Sequence, residues 1–298
     1  MSIIDRTRAD IVCCHEPKSV FLANLIRLAR RNVKIVGCSR GWTHENWKVR
    51  QYERIERFLL RYVDHVVAVS HGQKAKLLQV GVPDRKITVI HNAVEMKEVH
   101  GFCQLRVELG LPVDSVLIAT AGRLSPEKNH IGMIEVAQHV VSEHSKAFFL
   151  VFGEGVLRKE LEERVDAAGL HGRFLLPGFR IDLPNVLRQI DIFMLPSFTE
   201  GLPNVILEAY VARKPVVATD VGGTPEIVEE GKSGFVTKPG ELKKMAGHVS
   251  RLVASPELRA AFGNAGYRHV QQHFNLDLQA DRYARLYGSL HNGRNAST

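Results

Sequence analysis

Short continuous apolar runs recur along the chain, and segments with a helical period separate them. Ala9–Cys14 is the first run of strand length. Ser19–Arg31 follows as an amphipathic helix, with Val20, Leu22, Ala23, Leu25, Ile26 and Leu28 apolar beside Arg27, Arg30 and Arg31. Val33–Cys38 predicts a second strand, and Asn46–Tyr62 a basic helix with Tyr52, Ile55, Phe58, Leu59 and Tyr62 on one face. His65–Ser70 and Lys86–Ile90 predict strands on either side of a short helix at Gln73–Leu78. The polar stretch Asn92–Gln104 breaks the alternation and marks a domain boundary.

Beyond it the alternation restarts. Strands are predicted at Ser115–Ala121, Ala147–Phe152, Arg173–Leu176, Asp191–Leu195, Pro215–Thr219 and Gly234–Thr237. Helices are predicted at His130–His144, Val156–Ala168, Asn185–Gln189, Asn204–Ala212, Thr224–Glu229, Leu242–Val253, Pro256–His273 and Leu276–Tyr287. Strands that are apolar throughout and alternate with helices imply parallel sheets covered on both faces. Two such units in tandem make an α/β protein with a first domain at 1–97 and a second at 98–275. A helix and polar tail at 276–298 complete the chain, and the helix can cross back to the first domain. His291–Thr298 is apolar-poor and predicts a disordered end.

Charge sharpens this division. Of a net charge of +8 over 298 residues, the first hundred residues hold 18 basic and 10 acidic side chains, and the rest is balanced at 22 each. A basic first third points to an anionic partner, although a solvated basic face would look the same. No helix-turn-helix, zinc or stacking motif favours nucleic acid. Cys13, Cys14, Cys38 and Cys103 form no Cys-x2-Cys pair and read as buried free thiols. No secretory signal and no run of membrane-spanning length is visible.

In open parallel sheets ligands sit beyond the carboxyl ends of strands, so the segments that follow the strands carry the candidate chemistry. In 121–129, Gly122 lets the backbone turn closely, while Arg123 and Lys128 place two cations near a helix start. That suits a diphosphate, and a capped turn with surface charges fits as well. Gly153 and Gly155 allow close approach of a ligand or a tight turn. Arg158 occupies the third position of a dinucleotide fingerprint, which argues against nicotinamide or flavin. In 197–209, Glu200 and Glu208 can reach one ligand from a loop and the next helix. Backbone N–H groups around Gly201, Leu202, Pro203 and Asn204 suit a phosphate, and carboxylates suit ribose hydroxyls. Gly222 and Gly223 form a further glycine-rich turn that either lines the same cleft or only joins strand to helix.

Taken in order, these segments resemble the retaining glycosyltransferases of family 4, which have the GT-B fold. The resemblance rests on Gly122-Arg123-Leu124 with Lys128, Phe152-Gly-Glu-Gly155, Leu176-Pro-Gly-Phe179, Glu200 with Glu208, and Asp220-Val-Gly-Gly-Thr-Pro-Glu226. Upstream, 64–70 and 87–94 are similar to it as well. It implies two Rossmann-like domains, the N-terminal one incomplete: about three family strands before Ala9–Cys14, with their Gly-rich loop, have no counterpart here.

The resemblance also implies roles. Arg123 and Lys128 would bind the donor diphosphate, so that no metal is needed, and no Asp-x-Asp pair occurs. Glu208 would take the ribose hydroxyls and Glu200 the transferred sugar. Gly178, Phe179 and Arg180, within 177–181, would meet the base through backbone. His15 would face acceptor and sugar, although a capping or buried histidine reads alike. Arg40 stands where the family often has a histidine, and an arginine there suits an anionic acceptor. The expected reaction is transfer of a hexosyl unit, from a uridine diphosphate sugar or guanosine diphosphate-mannose, with retention. The acceptor would be a glycan or lipid carrier in polysaccharide or lipopolysaccharide synthesis, on the cytoplasmic side and peripheral to an anionic membrane. The alternative is a nucleotide-sugar-binding subunit that needs a partner chain. An unpaired edge at Ala9–Cys14 implies self-association.

Overall fold

The computed structural model describes residues 6–7, 9–29, 32–43, 47–97 and 104–295. Residues 98–103 of the predicted boundary, with Cys103, lie outside the described residues, as do Arg30, Arg31, Asn46 and the last three residues of the tail. The chain forms two compact units, one of Met1–Ala93 with Leu276–Thr298 and one of Val94–Asn275.

In the first unit β1 (Ile11–Cys14), α1 (Pro17–Ala29), β2 (Lys34–Ser39), α2 (Trp47–Leu59), β3 (His65–Ala68), α3 (His71–Gln79) and β4 (Ile87–Val89) follow in turn. The strands pair in parallel in the order β1-β2-β3-β4, which leaves β1 at an edge. Side chains alternate across each strand, so β2 splits its residues between two cores. Ile35 packs with Val20, Leu60, Val66 and Leu77 beneath α1, α2 and α3. Val36 and Cys38 face the other way and pack with Val67, Ile90 and Leu286. Gly37 is required between them, because a Cβ there would stand 2.5 Å from the Leu60 Cδ2 carbon.

The helix α2 is inverted relative to an ordinary amphipathic element. Its buried residues are Glu53 and Glu56, while Trp47, Tyr52, Ile55 and Phe58 are exposed. The apolar face seen in the sequence is therefore the outer one.

In the second unit come the single-turn α4 (Leu105–Glu108), β5 (Val116–Ala121), α5 (His130–Glu143), β6 (Ala147–Phe152), α6 (Arg158–Ala167), β7 (Phe174–Gly178), α7 (Leu183–Gln189) and β8 (Ile192–Leu195). They are followed by α8 (Asn204–Val211), β9 (Val216–Thr219), α9 (Thr224–Ile227), β10 (Gly234–Thr237), α10 (Leu242–Ala254) and α11 (Pro256–His273). All six strands are parallel, in the order β10-β9-β8-β5-β6-β7. β6 is buried at every position, as the all-apolar run Ala147–Phe152 requires. Helices α5 and α10 close a core around Met133, Phe149, Ile192, Met245 and Val249.

Two elements depart from the sequence prediction. Nothing in the pattern foretells α4, a single turn held from outside: Arg106 Nη2 pairs with Asp191 Oδ2 at 2.7 Å, and Nη1 donates to the Gln189 carbonyl at 2.8 Å. The predicted disordered end is a correction. The last helix, α12 (Leu276–Asn295), belongs to the first unit and runs through most of that polar stretch. Extending a helix already anchored by Tyr283, Leu286 and Leu290 needs no new nucleus.

Candidate functional site

The larger sheet reverses direction between β5 and β8. From β5 the chain adds β6 and β7 on one side, then returns to add β8, β9 and β10 on the other. Loops leaving β5 and β8 diverge at such a point and open a crevice beyond the strand ends. These are the loops that hold Gly122–Asn129 and Glu200.

Hydrogen bonds knit the two loops together. Ser125 Oγ donates to Glu127 Oε1 at 2.6 Å, and the Glu127 carbonyl accepts from the Phe198 N–H at 2.8 Å. Asn129, with φ of 52°, sends Nδ2 to the Pro196 carbonyl at 3.1 Å, while its Oδ1 caps α5 at the Gly132 N–H. The buried His130 donates from Nε2 to the Arg123 carbonyl at 3.1 Å, and burial lowers its pKa. Asn129 and His130 went unnoticed in the sequence. Their signal, a cap followed by a histidine at the start of a helix, is common.

This scaffold delivers Lys128 to Glu200 across 72 residues of sequence. Nζ lies 2.7 Å from Oε1, with only 22% and 10% of the two side chains exposed. Charges withdrawn from water interact more strongly than on the surface, and separating them is costly. The other predicted cation, Arg123, is exposed. Glu208 lies on the second turn of α8, half-buried, and desolvation pushes its carboxyl pKa up. Gly201, Leu202 and Pro203 are buried and Asn204 is exposed; Pro203, at the start of α8, offers no side-chain cap.

The glycines serve a different purpose from the one weighed in the sequence. A Cβ on Gly153 would stand 1.9 Å from the Gly122 carbonyl oxygen, and one on Gly155 2.4 Å from that of Leu124. A Cβ on Gly222 would stand 2.0 Å from the Glu200 carbonyl oxygen, and the Gly223 N–H donates to the Gly201 carbonyl at 2.7 Å. Each glycine admits the backbone of a neighbouring loop. Four loops thus lock one another at the carboxyl end of the sheet.

In segment 177–181, Gly178 has a φ of 91°, which suits glycine. Phe179 and Ile181 project with 72% and 92% exposure. The Arg180 guanidinium is committed to Asp182 and Glu108, each at 2.7 Å, and these carboxylates raise its pKa further. Its side chain is therefore held by protein, and the side chains the segment exposes are Phe179 and Ile181. A cavity of about 500 Å³ lies beside α8, lined by Val94, Lys97, Arg188, Glu208, Arg213 and Tyr267. Of the predicted site residues only Glu208 touches it, so it flanks the crevice.

In the first unit His15 follows β1 and is exposed, with Nε2 3.6 Å from Cys13 Sγ. Cys14 and Cys38 are buried, but Cys13 is only half-buried, because it lies near the end of an edge strand. Arg40, after β2, is exposed. The loop that follows is held from below by the inverted helix. Trp42 Nε1 donates to Glu56 Oε2 at 3.0 Å, the Thr43 N–H donates to Glu53 Oε1 at 2.7 Å, and the Arg57 guanidinium stacks on Trp42 at 4.4 Å. Burial pushes the Glu56 carboxyl up to about 7, partly offset by Trp42. Ser70 caps α3 at the Gln73 N–H, and Gln73 Nε2 reaches Ser39 Oγ at 2.8 Å.

Comparison with known proteins agrees with this geometry. The family model for glycosyl transferases group 1 matches residues 103–269, and that for glycosyltransferase family 4 matches residues 1–98. The putative glycosyltransferase EpsD of Bacillus subtilis is 27% identical over 96% of this chain and 78% of its own. The Escherichia coli UDP-Gal:alpha-D-GlcNAc-diphosphoundecaprenol alpha-1,3-galactosyltransferase is 25% identical over 96% of this chain and 76% of its own. Among solved structures, Anabaena HepE in complex with UDP-glucose superposes with a TM-score of 0.85 at 23% identity, over 94% of this chain and 79% of HepE. Staphylococcus aureus TarM superposes with a TM-score of 0.79 at 20% identity, over 93% of this chain and 55% of TarM. The fold is GT-B, and the chain spans about three quarters of EpsD, the galactosyltransferase and HepE and about half of TarM.

Proposed function

Because the chain belongs to the glycosyl transferases group 1 family, we propose that it moves a hexosyl unit from a nucleoside diphosphate sugar to a glycan or lipid-linked acceptor, with retention at the anomeric carbon. The observation that carries this is the meeting of Lys128 and Glu200, 2.7 Å apart, beside the point where the sheet reverses. Lys128 and Arg123 take the diphosphate and stabilise the charge that builds on the leaving phosphate, with no metal required. Glu200, held by Lys128, accepts from the sugar hydroxyls. Glu208 accepts from the ribose, and the backbone of 177–181 meets the base. The first-turn N–H groups near Gly201 and Asn204 supplement the cations. His15 faces the acceptor and the reacting end of the sugar.

A uridine diphosphate sugar is the favoured donor, guanosine diphosphate-mannose the second. Support comes from HepE, solved with UDP-glucose, and from the E. coli relative, whose name specifies UDP-Gal. The same name specifies a diphosphoundecaprenol acceptor, which fits a reaction at a membrane surface. No described helix is long and apolar enough to cross a membrane. The outward Phe21, Leu22 and Leu25 of α1, with Trp47, Ile55 and Phe58 of α2, stand among the exposed Lys48, Arg50 and Arg54. An apolar face ringed by cations suits peripheral binding to anionic lipid.

Calorimetry with UDP-glucose, UDP-galactose and GDP-mannose, in the presence of a chelator, tests the donor site. One nucleotide class is expected to bind saturably to the wild type and at least about tenfold more weakly to Glu208→Ala. Retention is read from the anomeric proton of the product by NMR. Binding to none of the donors overturns the reading and leaves a subunit dependent on a partner.

A further inference from the structure

A second group of reactive side chains stands at the carboxyl ends of β1 and β2. In the register of this pair Cys13 lies opposite Val36. Cys38 is two residues further along β2 and therefore on the same face as Cys13. The chain leaving β1 brings His15 back over the pair. Cys13 Sγ lies 3.4 Å from Cys38 Sγ and 3.6 Å from His15 Nε2, and the three atoms are all within 4.8 Å of one another.

These separations are the edges of a coordination tetrahedron. A zinc-class ion bonds thiolate sulfur at ~2.3 Å and imidazole nitrogen at ~2.0–2.1 Å. Tetrahedral angles then put two sulfurs ~3.8 Å apart and a sulfur and a nitrogen ~3.6 Å apart. The Cys13–Cys38 and Cys13–His15 separations stand within about 0.4 Å of those values, and the third edge, Cys38 to His15, is below 4.8 Å, so a small turn of the exposed His15 ring completes the set. A disulfide needs the sulfurs at ~2.05 Å, a closure of more than 1 Å, together with an oxidant. The surroundings also suit bound thiolates. Tyr283 Oη, on α12, is 3.7 Å from Cys38 Sγ, and Tyr287 packs with Cys13 against the same cluster. An outer donor of this kind orients a sulfur ligand and moderates its charge.

We propose that Cys13, His15 and Cys38 form a Cys2His site for a thiophilic divalent ion of the zinc class, with its fourth position open to solvent on the His15 side. Binding breaks the S–H bonds still present, releases those protons to solvent and changes no oxidation state. The role of the ion is regulatory: while bound, it withholds the His15 imidazole from acceptor and sugar. This last clause rests on the function proposed above, whereas the metal site does not.

The test is a titration of the reduced full-length chain with Co2+, a coloured stand-in for zinc. One equivalent is expected to raise a thiolate-to-cobalt charge-transfer band with the intense visible spectrum of a tetrahedral site, and Zn2+ should bleach both. Cys13→Ser and Cys38→Ser should each remove the band, and His15→Ala, at an exposed position, should weaken binding about tenfold or more. Cys103→Ser should change nothing. Thermal unfolding and donor binding verify that the variants are folded. In transfer assays zinc should inhibit the wild type and spare Cys38→Ser. No charge-transfer band, a band that survives Cys13→Ser, or undiminished affinity in His15→Ala overturns the site, whatever the transfer assays show. A band without inhibition by zinc overturns the regulatory role alone.

Discussion

The two units solve the same problem, presenting chemistry at the carboxyl ends of parallel strands, by different means. In the six-stranded unit the loops rest on one another through backbone: Gly153 on Gly122, Gly155 on Leu124, Gly222 on Glu200. The candidate side chains Lys128 and Glu200 then add a half-buried ion pair to that frame. In the four-stranded unit the strand ends are supported by side chains. Glu53 and Glu56 reach from α2 to hold the 41–43 loop, while His15 and Arg40 project outward. A backbone frame tolerates little substitution. A side-chain frame can be re-cut residue by residue.

The sharpest way to break this comparison is at Lys128. Lys128→Ala leaves Glu200 without its cation at a half-buried position, which costs on the order of 1–3 kcal/mol. It also removes a cation from the leaving phosphate, so turnover measured at saturating donor is expected to fall ~100–1,000-fold. A variant with turnover within a factor of a few of wild type would separate Lys128 from the chemistry. Next comes the frame itself. Gly153→Ala drives a Cβ into the Gly122 carbonyl at a φ of 149°, a conformation that suits glycine. A loss of roughly 2–4 kcal/mol in chemical denaturation is expected for the second unit, from steric clash and backbone strain. Arg40→Ala in the first unit should fall within about 0.5 kcal/mol of wild type.

A smaller effect sharpens the side-chain frame. Burial raises the Glu56 carboxyl to about 7 from an ordinary 4.5, so the folded state favours the protonated form. Its contribution to stability is complete below pH 4.5 and is lost as pH rises through 7. Glu56→Gln, always neutral and still able to accept from Trp42, should therefore stabilise the protein at pH 8 by on the order of 1–3 kcal/mol and be neutral near pH 4.5. Equal gains at both pH values would show that packing, and not ionisation, sets the difference. The smallest change in stability is expected for Trp47→Ser with Phe58→Ser on the outer face of α2. Unfolding should shift by less than about 0.5 kcal/mol, while sedimentation with anionic vesicles drops several-fold. Unchanged sedimentation would remove the membrane from the proposal.

What the sequence disclosed follows the same division. The alternation of apolar runs and helical segments is a local property, and both sheets came from it. Lys128 and Glu200 were each legible as candidates because each follows an apolar run of strand length, but their pairing was not, since it depends on the sheet order that sets β5 beside β8. Other features were hidden because they depend on register or on partners distant in sequence. Cys13 and Cys38 have no metal-binding spacing; 25 residues separate them, and only the β1–β2 register brings them together. The apolar face of α2 was visible, but its outward direction was not, since the buried face is polar and is satisfied by Trp42 and Thr43. Arg180 matched a donor-binding segment, yet its side chain answers to Glu108, on a helix too short to show a period.

The return of α12 to the first sheet fixes the order in which the protein is made. The ribosome delivers strands β1 to β4 first, but one face of their sheet lacks Tyr283, Leu286 and Leu290 until the last helix emerges. The second unit, uninterrupted from Val94 to Asn275, can close its core while the earlier-synthesised strands still wait. During translation the amino-terminal third is thus the last to complete its core, and the interval before α12 arrives is when its Val36–Val67–Ile90 face is open to chaperones or to a second nascent chain.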